Sequence, residues 1–374
     1  MDDPHKATLD ALAGKGRLRA LTATRGRDFT SNDFLGLAES AALRDSAARA
    51  LARGVPVGAG GSRLLRGNHP EHEALEGEAA SFFGSETALY FPTGYAANAA
   101  IIATLPREGD LIVHDALIHA SIRAGLEPSR IPAIEAPHND VAAMDTIIAG
   151  WRAGGGKGRV WIAVETLYSM DGDRAPLADL VALAAKYDAM LVLDEAHATG
   201  VYGDQGRGLG ALYEGAPNII TLHTCGKALG AAGALVCMPR LYRDFMVNRG
   251  RSFIYSTAPS PLMAAVVREA LKLCATAEQE RAQLQALVRQ ANEHLAKLGL
   301  AQSGSQILPV VLGADRRATV FADALQARGH DIRAIRPPTV PEGTARLRVS
   351  ITRNVTSSDV DALFADLGAE LARA

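Results

Sequence analysis

A rhythm of short, largely apolar runs constrains this chain first, because several close on a polar residue and most are separated from the next by a helical stretch. Val160 to Glu165 (VWIAVE) and Met190 to Asp194 (MLVLD) bracket a helix expected over Ala178 to Tyr187, with Leu180, Val181, Leu183 and Ala184 on its inner side. Runs of this kind are covered on both faces, and strands that alternate with helices build a mostly parallel sheet. Thr87 to Phe91, Leu111 to Val113, Ile219 to Thr224 and Ala234 to Met238 carry the same signature. Ligands of such sheets gather just beyond the C-terminal ends of the strands. That rule selects Thr93, Ser169, Asp194, His197, Thr224 and Lys227.

The flanks differ in texture. A short helix is expected over Asp10 to Leu21 and a strand at Asp28 to Thr30, followed by an ordered loop, SNDFLGLA, from Ser31 to Ala38. A helix follows from Ala42 to Arg53, then a glycine-rich stretch from Gly58. The next helix, starting near Pro70, sets Leu75, Ala79, Phe82 and Phe83 on one apolar face. Beyond Ser260 a long helical stretch, Leu262 to Leu300, breaks near Ala275 to Glu278. Strands at Ile307 to Leu312, Ile332 to Ile335 and Arg346 to Ile351 then alternate with helices at Ala318 to Arg328 and Ser358 to Leu371. The expected organisation is an N-terminal segment (1–44), a large domain (45–258) and a smaller C-terminal α/β domain (259–374).

Charge and cysteine usage exclude several function classes. With 39 basic and 41 acidic side chains the net charge is −2, so no global basic field draws the chain to nucleic acid or anionic lipid. No apolar leader precedes the first helix and no run of 18 apolar residues occurs. The three cysteines form no CxxC pair, which argues against a disulfide framework and for a cytoplasmic protein. Lys15, Lys157 and Lys227 are followed by Gly, Gly and Ala, not by the Ser or Thr of a phosphate-binding nucleotide loop. The turn at Thr93 has one glycine, too few for a dinucleotide fingerprint. His69 and His72 lack the helical HExxH arrangement, so no metal is expected. Thr224 and Lys227 have the spacing of an S-x-x-K nucleophile without its companion motifs.

What remains is an amine, an acid and an anion site. Lys227 follows a strand and stands among small residues, where partial desolvation would make its amine nucleophilic. Asp194 ends a strand, and the strand-turn-helix at Thr93, Gly94 and Tyr95 offers backbone N–H groups to an anion. Pyridoxal 5′-phosphate needs these three things: an amine, a carboxylate against its ring nitrogen and donors for its phosphate.

Nine motifs then carry a resemblance: SNDFLGLA, GAGGSRLLRGNHPEHEALE, FPTGYAAN, HDALIHAS, YSMDGDRAPL, LDEAHATGVYGDQGRG, HTCGKALG, FIYSTAPSP and GTARLRVSIT. Spread from Ser31 to Thr352, they resemble the α-oxoamine synthases, a group within the fold-type I pyridoxal-phosphate enzymes. The resemblance implies that Lys227 is the Schiff-base lysine and the base at the substrate Cα. Asp194 is then the ring-nitrogen partner, His119 stacks on the ring, and Ser169 and His197 contact the ring oxygen. Thr93, Gly94, Tyr95 and Thr224 would hold the phosphate, with Thr257 reaching it across a homodimer interface. Arg348 matches the arginine that pairs with the amino-acid carboxylate, Asn32 lies in a substrate-binding motif, and Arg17 or Arg19 would meet the acyl substrate. Within the group, GAGGSRLLRGN is most like members that join L-alanine to a pimeloyl thioester, carried by coenzyme A or acyl carrier protein; glycine or serine with another acyl-CoA is the alternative. Thr352 to Val355 depart from the pattern, since relatives often carry a histidine there.

Overall fold

The computed structural model describes residues 3–373, which form two compact units. The larger comprises residues 35–169 and 174–278; the smaller comprises 1–34, 170–173 and 279–374. These limits differ from the expected ones in three places, the first being that residues 170–173 fall in the smaller unit. The helix Pro261–Ala275 packs Ala264, Val267, Ala270 and Leu271 with Leu75, Ala79 and Phe83 of Pro70–Phe83, so it belongs to the large unit. The N-terminal segment up to Phe34 belongs to the small one, where Arg27–Asp28 pairs in parallel with His330–Asp331.

A seven-stranded sheet organises the large unit. Its order is Thr87–Phe91, Ala234–Met238, Ile219–Thr224, Met190–Asp194, Val160–Glu165, Leu111–Asp115, Ala133–Ala136. The last five pair in parallel, and Ala234–Met238 is antiparallel to both of its neighbours. The mostly parallel sheet expected from the apolar runs is thus present. Ala133–Ala136 escaped the sequence reading because three of its four residues are exposed at the sheet edge, so no apolar run marks it.

Side-chain alternation then sorts the strands into two layers. Trp161, Ala163, Met190, Val192, Ile220 and Leu222 join the helices Gly94–Thr104 and Ala120–Ser129 in one core. Ile162, Val164, Leu191 and Leu193 face the other way, against Val141–Ala153 and Leu177–Tyr187. Each fully buried aliphatic side chain contributes about 1.5–3 kcal/mol, so the two cores hold the strand ends in a fixed arrangement.

Local chemistry sets the remaining elements. The first helix runs Pro4–Gly14, earlier than the expected Asp10 to Leu21, because Asp3 caps it through His5 N at 2.8 Å, Pro4 opens it and Gly14 ends it. His69 and His72 form a capping box at Pro70–Phe83, with His72 Nε2 2.8 Å from the Pro259 carbonyl. On the sheet edge, Glu76 accepts Tyr90 N–H at 2.9 Å and pairs with the buried Arg63 guanidinium, tying the glycine-rich stretch to the sheet. The three cysteines are buried and form no disulfide. Among the described residues no helix is long and apolar enough to cross a membrane.

In the small unit, Ala345–Ser350 lies between Ala334–Ile335 and Ile307–Gly313, all antiparallel, with Asp315–Ala327 and Ser357–Arg373 as its principal later helices.

The loop after Ile219–Thr224 is held as tightly as the strands. Cys225 N donates to Gly233 O at 2.9 Å and Ala231 N to Cys225 O at 2.8 Å. Gly233 has φ of +99°, and a Cβ there would stand 2.4 Å from the Tyr90 ring. A Cβ on Gly226, in the same loop, would come no nearer than 3.8 Å to any atom. Gly233→Ala should therefore lower unfolding free energy by about 1–3 kcal/mol while Gly226→Ala stays within about 0.5 kcal/mol, as read from urea midpoints. Equal midpoints for the two variants would show that this loop is free to readjust.

Candidate active site

Three strand ends build the centre of the site. Glu165 and Asp194 are in-register partners, and Thr224 ends the strand next to Asp194. Period-two alternation puts all three side chains on the face covered by Gly94–Thr104 and Ala120–Ser129. The carboxylate of Asp194, 4% exposed, accepts Asn98 Nδ2–H at 2.7 Å and Ala196 N–H at 2.9 Å. Asn98 lies on Gly94–Thr104 and donates also to Ser121 Oγ at 3.0 Å.

Lys227 is half-buried, and its amine lies 2.7 Å from His197 Nε2. His197 is buried three residues beyond Asp194, in the tight turn that follows that strand. Glu195 holds the turn from below: its buried carboxylate accepts Leu209 N at 3.0 Å and Gly210 N at 2.6 Å.

His119 caps Ala120–Ser129, and its Nδ1 faces Ser121 N at 3.2 Å and Ser121 Oγ at 2.7 Å. Although the residue is open to solvent on one side, surrounding protein lowers its basicity; the Asp194 charge opposes this and the Lys227 charge adds to it, with a net shift below the ordinary histidine value. The neutral ring is thereby favoured.

Thr93 caps Gly94–Thr104 through Ala96 N at 3.0 Å. Helix geometry leaves the first-turn N–H groups of Gly94 and Tyr95 without intrahelical acceptors. A Cβ on Gly94 would meet Thr224 Oγ1 at 3.6 Å, so the Thr224 hydroxyl stands beside this helix start. Ser169 is buried and donates its N–H to Glu165 Oε2 at 3.1 Å. Thr257 is exposed in the segment after Arg251–Ile254.

In the small unit, Arg348 is 7% exposed and donates to Ser350 Oγ at 2.7 Å and Asn32 Oδ1 at 2.9 Å. Two residues selected separately in the sequence are therefore partners. Arg17 is engaged by Asp315 at 2.5 Å and by both oxygens of Glu342 at 2.8 and 2.5 Å. Arg19 is exposed and donates to Thr339 Oγ1 at 3.2 Å. Arg346 is buried and pairs with Asp171 of the YSMDGD stretch at 2.5 Å.

Sequence reasoning missed Asn98, Ser121 and Glu165. Asn98 had a signal, being the one amide in the otherwise apolar run GYAANAAIIAT. Glu165 read only as the end of a strand. Both carry a buried oxygen, Asn98 Oδ1 and Glu165 Oε1, that meets no hydrogen-bond partner in the chain. An amine, a fixed carboxylate, a helix start beside a hydroxyl and unmet polar atoms together suit a polar, phosphate-bearing ring compound with a carbonyl group.

A family model described as aminotransferase class I and II matches residues 26–367. An 8-amino-7-oxononanoate synthase from Chromobacterium violaceum is 42% identical over 341 residues, covering 90% of this chain and 87% of the relative. Another, from Anaeromyxobacter dehalogenans, is 41% identical, covering 98% and 94%. Among solved structures, serine palmitoyltransferase from S. paucimobilis with bound PLP-myriocin aldimine superposes with TM-score 0.88 at 26% identity, covering 98% and 96%. 8-Amino-7-oxononanoate synthase from Francisella tularensis superposes at 0.79 and 26%, covering 93% and 98%.

Burial raises the Glu195 carboxyl to about 7, against the pull of His223, the two backbone donors and Thr166. A carboxyl raised above its unfolded value of 4.5 contributes stability that is complete below about pH 4.5 and is lost as pH rises through about 7. Relative to Glu195→Gln, wild-type unfolding free energy should fall by about 2–3 kcal/mol across that window in denaturant titrations. Parallel pH profiles would contradict the assignment.

Proposed function

We propose that this chain, which belongs to the α-oxoamine synthases within the class I and II aminotransferase family, condenses L-alanine with a pimeloyl thioester. The products are 8-amino-7-oxononanoate, CO₂ and free thiol, a step of biotin biosynthesis. The observation that carries the reading is the pairing of the Lys227 amine with His197 beside the Asp194 carboxylate, in a chain whose curated relatives bear that enzyme's name.

The cofactor is pyridoxal 5′-phosphate. Lys227 would anchor it, Asp194 would face its ring nitrogen, His119 would lie against the ring, and Ser169 and His197 would meet the ring oxygen. Thr93, Gly94, Tyr95 and Thr224 would take the phosphate, joined by Thr257 from a second copy in a homodimer. When bound, the group supplies an electron sink for negative charge at the substrate Cα.

The chain's own residues do the rest. Asp194 is kept oriented by Asn98 and Ala196, so it can hold a proton on the ring nitrogen without moving. The Lys227 amine, once released from its anchoring role, takes the Cα proton of L-alanine. His197, 2.7 Å away, can share that proton and so restore the amine. His119, favoured in its neutral form, has Nδ1 engaged by Ser121 and can offer Nε2 to the acyl carbonyl. Arg348, fixed by Asn32 and Ser350, suits a bidentate hold on the alanine carboxylate. Because Arg17 is already neutralised by Asp315 and Glu342, Arg19 is the better of the two N-terminal arginines for the acyl substrate, delivered as pimeloyl-CoA or pimeloyl acyl carrier protein.

Lys227→Ala should lower turnover by about 10²–10⁴-fold, and borohydride should fix no cofactor to the variant. Thiol release and CO₂ should be fastest with L-alanine and a pimeloyl thioester. Faster turnover of glycine or L-serine with another acyl-CoA would overturn the substrate assignment.

A further inference from the structure

The carboxyl group of Glu165 has a place in the site but no part in the chemistry described above. It ends Val160–Glu165, opposite Asp194 in register, and is 2% exposed. In-register neighbours on parallel strands share a sheet face, so two carboxyl groups are buried side by side. Their surroundings differ. Asp194 receives two hydrogen bonds, from Asn98 and Ala196. Glu165 is met by Ser169 alone, whose N–H donates to Oε2 at 3.1 Å and whose hydroxyl also bonds the carboxyl, while Oε1 is buried without a partner.

An ionised Glu165 would leave one charged oxygen bare beside a second carboxylate. A bare buried charge costs far more than an un-ionised carboxyl with one unmet O–H. The charged groups that act on it are Asp194 and Lys227, whose amine lies against His197. Burial first and the Asp194 charge second push the Glu165 carboxyl well above the ordinary range, and Lys227 and the Ser169 bonds only partly offset them.

We infer that Glu165 is an un-ionised positioning residue, which holds Ser169 through Oε2 and leaves Asp194 as the one carboxylate charge presented to the bound cofactor. Ser169 stands at the proposed ring-oxygen contact, so the anchor lies directly behind the cofactor's polar edge. A second carboxylate charge there would hold the cofactor's linkage to Lys227 protonated to higher pH. A neutral Glu165 keeps that linkage responsive to Asp194 and His197 alone.

The inference rests on the reading of this pocket as the pyridoxal-phosphate site, and its test separates the two. The visible absorbance of bound cofactor is titrated with pH in wild type, Glu165→Gln and Glu165→Ala holoenzyme. Glutamine keeps an acceptor for Ser169 N–H and adds no charge change if Glu165 is already neutral. The Glu165→Gln midpoint should then match wild type within about half a pH unit, while Glu165→Ala, which removes the acceptor of Ser169 N–H, should change the spectrum itself. A fall of about one unit or more in Glu165→Gln means that a negative charge was removed, and overturns the inference. Infrared difference spectra of wild type minus Glu165→Gln at neutral pH provide a second reading that needs no cofactor. The carbonyl stretch of an un-ionised acid is expected, and a carboxylate stretch in its place overturns the inference. Absence of any visible band in wild type would instead defeat the cofactor reading.

Discussion

A buried carboxylate is useful only if hydrogen-bond donors hold it, and Asp194 is held from two elements. One donor, Ala196 N–H, comes from the turn that follows its own strand; the other, Asn98 Nδ2–H, comes from the helix covering that face of the sheet. The same Asn98 amide reaches Ser121, whose hydroxyl and N–H face His119 Nδ1. The turn that supplies Ala196 also carries His197 to the Lys227 amine. Strand end, covering helix, ring-stacking candidate and amine are thus connected through one carboxylate. Displacing it would disturb all of them, which is why the apolar cores that fix these strands matter to chemistry at their tips.

Small residues around Lys227 have a physical role in this arrangement. A backbone closed by Cys225 with Gly233 and by Ala231 with Cys225 leaves no slack in the loop, so the amine arrives at a defined place. The close approach of Gly233 to the Tyr90 ring connects that loop to the far edge of the sheet, where Tyr90 also bonds Ala232 O at 2.7 Å. The proposed double role of anchor and base suits an amine carried on a hydrogen-bonded loop with an adjoining imidazole.

Much of this was legible in the sequence. Apolar runs marked six of the seven strands of the large sheet, and the rule that ligands meet strand ends selected Asp194, Thr224 and Lys227. The pairing of Arg348 with Asn32 was latent in two motifs more than three hundred residues apart. Asn98 and Glu165 were hidden for different reasons. An amide on a helix shows its direction only when the helix is docked, and a glutamate at a strand end shows its burial only when its neighbours are in register. The early end of the first helix reflects Pro4 and Gly14, local signals that outweighed the basic stretch around Arg17. The contact limits of the two units depended on where Pro261–Ala275 packs, which no local pattern states.

The central claim is that the Lys227 amine takes the Cα proton of L-alanine. Proton NMR of holoenzyme with L-alanine in D₂O, without any acyl donor, reads that step directly. The account predicts that the Cα–H signal fades as deuterium enters, and that it persists with Lys227→Ala. Undiminished exchange in Lys227→Ala, or none in the wild-type holoenzyme, would contradict it.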